Sequence, residues 1–195
     1  MPIGVDALPI ETRALARALI GHVLVSDRVD GRTAGRIVEV EAYVPRDAAS
    51  HAYAGKTART AVMFGPPLHA YVYLIYGMYH CFNITSEPEG EGAGVLVRAL
   101  EPLEGIALMQ ARRGIAAERE LCRGPGRLAA ALGIDRSADG CPLLAPSPLW
   151  LAQPVRAPGR IGSSRRIGIS RAPRRLLRFY ERGSPFVSGP RNLSP

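Results

Sequence analysis

The sequence of 195 residues predicts an α+β fold. Three observations lead there. Residues 36–44 alternate apolar and polar side chains with a period of two, as a strand does. Residues 70–84 are rich in tyrosine and β-branched residues and are broken once by Gly77, the pattern of a hairpin. Helical signals occur around residues 10–20, 103–113 and 125–132 without alternating strictly with strands, which argues against a doubly wound sheet.

The elements follow in order. Leu15, Ala18 and Leu19 share a helical face at i, i+3 and i+4, with Arg13 and Arg17 opposite, so the first helix covers residues 10–20. A strand over residues 22–26 and a turn at Asp30-Gly31 come next. In the strand 36–44, Val38, Val40, Ala42 and Val44 point one way, and Glu39, Glu41 and Tyr43 the other. Residues 47–67 have loop composition. The hairpin 70–84 turns at Tyr76-Gly77-Met78, and residues 94–99 form another strand after an acidic, glycine-rich turn. Pro102 reads as a helix start, with the helix over residues 103–113. Gly124-Pro125-Gly126 opens a further helix that Gly133 closes. The proline-rich stretch 139–160 wraps the surface, with a short strand at Trp150. Residues 165–170 and 176–180 read as late strands.

Composition bounds the function. A length of 195 residues with a hydrophobic fraction of 47% fits one globular domain, residues 1–195. No apolar run reaches the ~20 residues of a membrane span, and no secretory leader is evident at the N-terminus. Cys81, Cys122 and Cys141 are odd in number and far apart, so neither a disulfide framework nor a cysteine zinc site is expected, and the cytoplasm suits the chain. The net charge of +8 is concentrated at one end. From about residue 156 onward there are ten arginines and one acid, a sum of +9, while the first 155 residues sum to −1. Such a segment is either the footprint of a nucleic-acid partner or a solvated basic tail.

Several residues could carry chemistry. Glu39, Glu41 and Tyr43 on one strand face could orient or deprotonate water beside a planar substrate. Charged strand faces are common, so on this segment alone a solvated polar side is the stronger reading. Tyr71, Tyr73, Tyr76 and Tyr79 crowd into nine residues. Tyr76, just before the turn glycine, is exposed on this reading and available to stack on or insert into a partner. The other tyrosines and Phe82 read as packing. The Asn83 amide either reads a base edge or caps a turn. Arg98 interrupts an apolar strand on the side of Leu96 and requires an anionic or carbonyl partner, a structural glutamate or a phosphate.

Taken together, the chain resembles the alkyladenine (3-methyladenine) DNA glycosylase family. The resemblance rests on Ile37-Val38-Glu39-Val40-Glu41-Ala42-Tyr43, Ser50-His51-Ala52, Met63-Phe64-Gly65 and Tyr71-Val72-Tyr73. It continues through Tyr76-Gly77-Met78-Tyr79-His80-Cys81, Asn83, residues 95–102, Gly124-Pro125-Gly126, Leu177-Arg178-Phe179-Tyr180 and Gly183-Ser184-Pro185. Thr60-Ala61 and Leu68-His69-Ala70 depart from the family pattern. The resemblance implies a compact α+β domain on a curved, mainly antiparallel sheet, with a protruding β-hairpin and several surrounding helices.

It also implies roles. Glu41 activates water, and Tyr43, His51 and Tyr73 sandwich an extruded base. Asn83 tests for the exocyclic amino group of guanine, and Leu96 lies near the base. Tyr76 fills the gap left in the duplex, while Arg98 holds the flipped nucleotide by its backbone. Residues 165–170 pass close to the pocket. Phosphate contacts from the arginine-rich segment, Arg174 and Arg175 among them, supply affinity that is independent of sequence. The implied partner is double-stranded DNA containing damaged purines, bound by a monomer. No cofactor or metal is expected, and strand cleavage is not, since Lys56 is the one lysine. Two other readings compete: a non-catalytic nucleic-acid-binding module, and a sugar hydrolase using Glu39 and Glu41. The first gives Glu41 no role, and the second leaves Tyr76 and the basic segment unexplained.

Overall fold

A computed structural model of the protein describes residues 1–4, 7–144 and 146–190; Arg191, one of the ten C-terminal arginines, lies outside them. Helix α1 (Thr12–Leu19) forms where the apolar face predicts it, and Glu11 caps it by accepting from the N–H groups of Arg13 and Ala14 at 3.0 and 2.7 Å. Leu15 and Leu19 are fully buried, each stabilising by roughly 1.5–3 kcal/mol. Strands β1 (Val23–Arg28) and β2 (Gly31–Tyr43) form a hairpin around the predicted turn. β3 (Ala70–Ile75) and β4 (Tyr79–Thr85) form the tyrosine hairpin, and β5 (Gly94–Glu104) follows. Helices α2 (Ile106–Arg113), α3 (Glu118–Leu121) and α4 (Pro125–Leu132) come next, then β6 (Leu149–Ala152), β7 (Ile161–Ser164) and β8 (Arg178–Glu181).

Among the described residues the strands build one antiparallel sheet in the order β3-β4-β5-β2-β1-β6, curled about β2. β2 is long enough to serve two partners along one edge. Its first half pairs with β1 and residues Glu39 to Glu41 pair with β8, while β5 covers the other edge. β7 extends the sheet from β8. The main core lies between α1, α2, α4 and one sheet face, with Leu15, Val40, Phe82, Leu100 and Leu128 all fully buried.

Four expectations need correction. Val38 does not share the face of Val40, Ala42 and Val44; Ile37 does, and Val38 joins a separate cluster with Ala99, Tyr180 and Val187. A β-bulge is the reason, since the register against β5 slips on both sides of Glu39. The face bearing Glu39 and Glu41 is not solvated: both side chains are fully buried, because Arg178 of β8 and Ser188 after it close over Glu39 and the turn before β8 closes over Glu41. Pro102 starts no helix. It sits in β5 opposite Gly35 at another register slip, where a missing N–H is tolerated. α2 begins instead after Gly105, whose φ of +72° turns the chain where a Cβ would collide with the Arg32 carbonyl. Residues 165–170 are not a strand; β7 ends at Ser164, and the chain then turns, with Gly168 at a φ of +73°.

Candidate active site

The sheet and two loops enclose a cavity of about 430 Å³, a volume ordinary for a small-molecule or base pocket. Tyr43 reaches it from β2, Tyr73 from β3, Asn83 from β4, and Leu96 and Arg98 from β5. The loop carrying His51 and the turn at residues 167–171 complete the wall. Tyr43, His51, Tyr73, Asn83, Leu96 and Arg98 thus line one cavity, while Glu41 is not among its lining residues.

Glu41 is fully buried behind this wall, accepts two hydrogen bonds and makes one ion pair. The Ile167 N–H donates to Oε1 at 2.7 Å, the Tyr43 hydroxyl donates to Oε2 at 3.0 Å, and Arg98 Nη1 lies 3.3 Å from Oε1. Residues 165–170 therefore do pass the pocket, as a turn that grips Glu41. Burial first, and then the charge and hydrogen bond of Glu41, push the Tyr43 phenol pKa far up, so its proton stays on the Tyr43 oxygen.

Arg98 finds glutamates rather than an exposed phosphate site. Its Nε donates to Glu39 Oε1 at 3.2 Å while Nη1 meets Glu41, and Nη2 has no partner among the described residues. Burial opposes its charge, but Glu41 and Glu39 outweigh that and raise its pKa. Glu39 is itself saturated. It accepts from Arg178 Nε at 2.6 Å and from the Ser188 N–H and hydroxyl at 2.6 and 2.9 Å.

The aromatic wall is built around His51. Ser50 caps the short 3₁₀ turn His51–Ala54 by accepting from the Ala52 N–H at 3.1 Å, which leaves His51 at the rim. His51 Nδ1 lies 3.1 Å from the Tyr71 hydroxyl, and its ring centroid is 4.5 Å from that of Tyr73. His51 and Tyr73 therefore touch edge to face, at an interplanar angle of 70°. Desolvation and then the charge of Arg59 hold the His51 pKa below its ordinary value, so the imidazole is neutral at pH 7. Asn83 Nδ2 donates to the Tyr71 carbonyl at 3.1 Å, which orients the amide at the pocket.

Tyr76 stands apart from the pocket, at the hairpin tip. It is 86% exposed and adopts a φ of +53°, followed by Gly77 at +69°. Left-handed backbone costs a tyrosine about 1–2 kcal/mol, so the turn holds this side chain outward at the expense of local strain. Met78 and Tyr79 beside it are also exposed.

The arginine-rich segment divides in two. Arg166 and Arg178 are buried in ion pairs with Asp47 and Glu39, and Arg156 pairs with Glu101. Arg175 lies 3.4 Å from Asp47. Arg160, Arg165, Arg171, Arg174 and Arg182 are exposed. Part of the apparent nucleic-acid footprint is therefore internal structure. The Asp47–Arg166 pair is the site feature that sequence reasoning missed, since neither residue belongs to a local pattern. Among the described residues no group of three or more His, Cys, Asp or Glu converges as a metal site would, and no helix is long and apolar enough to cross a membrane.

Comparison with known proteins agrees with this geometry. Residues 7–185 match the family model described as methylpurine-DNA glycosylase. A protein of Mesorhizobium japonicum, whose name proposes a 3-methyladenine DNA glycosylase, is 56% identical over 98% of this chain and 92% of its own length. Relatives of the same name from Paraburkholderia phytofirmans and Methanoculleus marisnigri are each 48% identical, over 99% and 91% of this chain and 91% and 94% of their own lengths. Fold, pocket and relatives together define a DNA glycosylase. The chain belongs to the methylpurine-DNA glycosylase family.

Proposed function

We propose that the protein removes damaged purines from double-stranded DNA by hydrolysing the bond between base and sugar, the first step of base-excision repair. The observation that carries this reading is Glu41, buried behind an aromatic pocket and held by Ile167, Tyr43 and Arg98. A carboxylate offers about four acceptor positions. The two hydrogen bonds and the ion pair with Arg98 leave acceptor capacity for a water, which Glu41 would deprotonate as the water attacks the sugar C1′ carbon.

A base inside a duplex must be extruded to reach such a pocket, at a few kcal/mol. Tyr76, held outward at the hairpin tip, fills the vacated stack, where an aromatic contributes roughly 1–3 kcal/mol. Tyr43 stacks on the extruded base from one side, His51 and Tyr73 from the other, with Leu96 beside it. The Asn83 amide hydrogen left over from its bond to Tyr71 repels the exocyclic amino group of guanine. Arg98 reaches the nucleotide backbone through Nη2. Exposed arginines of the C-terminal segment, Arg174 first among them, bind phosphates, with Arg175 shared between phosphate and Asp47.

The names of the relatives support an alkylated purine as substrate. Lys56 is the one lysine and does not line the pocket, which supports release of the base without cleavage of the strand by a lysine Schiff base. We read the protein as a monomer of one domain. The test is a duplex carrying a single alkylated or deaminated purine, assayed for the free base and for intact strands at the abasic site. No released base from any such duplex would overturn the reading.

A further inference from the structure

Both tyrosine walls of the pocket carry a guanidinium. Arg166 lies 4.6 Å from the Tyr43 ring centroid and is fixed there. Its Nη1 donates to the Ala42 carbonyl at 2.9 Å and to Asp47 Oδ2 at 2.7 Å, and its Nη2 donates to Asp47 Oδ1 at 3.1 Å. Its side chain is fully buried and does not line the cavity, so Tyr43 stands between it and the space where a base would stack. Arg59 lies 5.7 Å from the Tyr73 ring centroid. Its charge bears on the Tyr71 phenol and on His51.

The two cations differ in their compensation. Arg166 faces the Asp47 carboxylate, and Arg98 faces Glu39 and Glu41. Arg59 is exposed and makes no ion pair with an acid among the described residues. It is therefore an uncompensated positive charge beside the Tyr73 wall. Arg171, which lines the cavity farther along, is exposed and likewise makes no ion pair with an acid among the described residues.

This matters because damaged purines come in two charge classes. Alkylation at N7 or N3 gives the purine of the nucleotide a fixed positive charge, whereas deamination leaves it neutral. An aromatic face attracts a cation through its ring quadrupole. A ring that already faces a guanidinium offers less to a second cation, and the guanidinium also repels that cation through space.

We propose that Arg59, with Arg166 behind Tyr43, determines specificity by shifting the pocket's preference from cationic toward neutral damaged purines. The shift falls where it costs least. A cationic purine is already a good leaving group and needs little from the pocket, while a neutral one depends on pocket contacts. This inference rests on the function proposed above.

The test compares single-turnover base release from two duplexes that differ only in the lesion, cationic 7-methylguanine or neutral hypoxanthine. Wild type, Arg59→Ala and Arg59→Lys are measured on both. The ratio of the two rates cancels whatever Arg59 does to the shared phosphate backbone. In Arg59→Ala the cationic-to-neutral ratio should rise about two- to fivefold, the scale of one cation–ring contact at an exposed site. In Arg59→Lys, which keeps the charge, it should return to the wild-type value. An unchanged ratio in Arg59→Ala, with both rates lowered alike, overturns the inference and makes Arg59 a phosphate contact. A lysine variant that behaves like the alanine one also overturns it, because charge is then not the agent. If wild type releases no base from any duplex with an alkylated or deaminated purine, the proposed function falls and this inference with it. Release of other damaged purines but neither of these two overturns this inference alone.

Discussion

The backbone N–H of Ile167 donates to Glu41 Oε1 at 2.7 Å, across 126 residues of sequence. The bond joins a turn near the C-terminal end of the chain to the last residues of its central strand. It fixes the Glu41 carboxylate on the side away from Tyr43, whose hydroxyl holds the other oxygen. A carboxylate gripped on both oxygens loses little freedom when it meets a reacting water.

Glu41→Gln should lower single-turnover base release by about 10²–10⁴-fold while lesion-duplex affinity stays within a few-fold. The glutamine carbonyl can still accept from Ile167 and Arg98, and its NH₂ can donate to the Tyr43 oxygen, so the fold has a satisfied alternative. Excision within a few-fold of wild type would remove Glu41 from the reaction.

Glu39 lies on the same strand but has a different task. It gathers Arg98, Arg178 and the Ser188 N–H and hydroxyl in a fully buried cluster. Glu39→Gln leaves two buried guanidiniums short of a counter-charge and should destabilise the fold by about 3–5 kcal/mol, read by denaturant unfolding. A change under about 1 kcal/mol would show that water or rearrangement replaces it.

Tyr76→Ala should reduce excision strongly on a paired lesion and much less on a lesion in a mismatch or bulge, where extrusion costs less. Folded stability should change by under ~0.5 kcal/mol, since the ring is 86% exposed. Equal losses on paired and unpaired substrates would mean that Tyr76 fills no gap in the duplex.

Arg174 is exposed while Arg175 leans on Asp47, so Arg174 tests phosphate binding more cleanly. Arg174→Ala should weaken binding to damaged and undamaged duplex alike, and reduce the slope of log affinity against log salt by about one. Loss confined to damaged DNA would assign Arg174 to recognition of the lesion.

His51 should titrate below the ordinary imidazole value of about 6.5 in an NMR titration of the free protein. Desolvation is the larger cause, so removing Arg59 should raise the midpoint without bringing it back to that value. With the folded value below the unfolded one, the stability linked to His51 is complete above the unfolded value and is lost as pH falls through the folded value. A midpoint at or above 6.5 would contradict this account of its surroundings.

Local patterns carried a large share of the fold. The polar alternation of Glu39, Glu41 and Tyr43 identified β2 and the carboxylates on it. The tyrosines around Gly77 located the hairpin and left Tyr76 at its tip, and Gly124-Pro125-Gly126 with Gly133 bounded α4. Such signals lie within a few residues of one another and reflect what the backbone does locally. Where they misled, a longer-range contact had won. β2 bulges at Glu39 to meet β5, Pro102 is drawn into that same strand, and residues 165–170 turn so that Arg166 and Ile167 can reach Asp47 and Glu41.

By itself, then, the sequence determined an α+β fold, a polar strand face, an exposed tyrosine and an arginine-rich end. Only the tertiary structure decided which charges meet. It buried Arg178 on Glu39, Arg166 on Asp47 and Arg98 between Glu39 and Glu41, and it left Arg59 and Arg174 without an acid. The reason is physical. An arginine is equally at home facing water or a buried carboxylate, and nothing in its sequence neighbours sets its burial; the partner brought to it across the fold does.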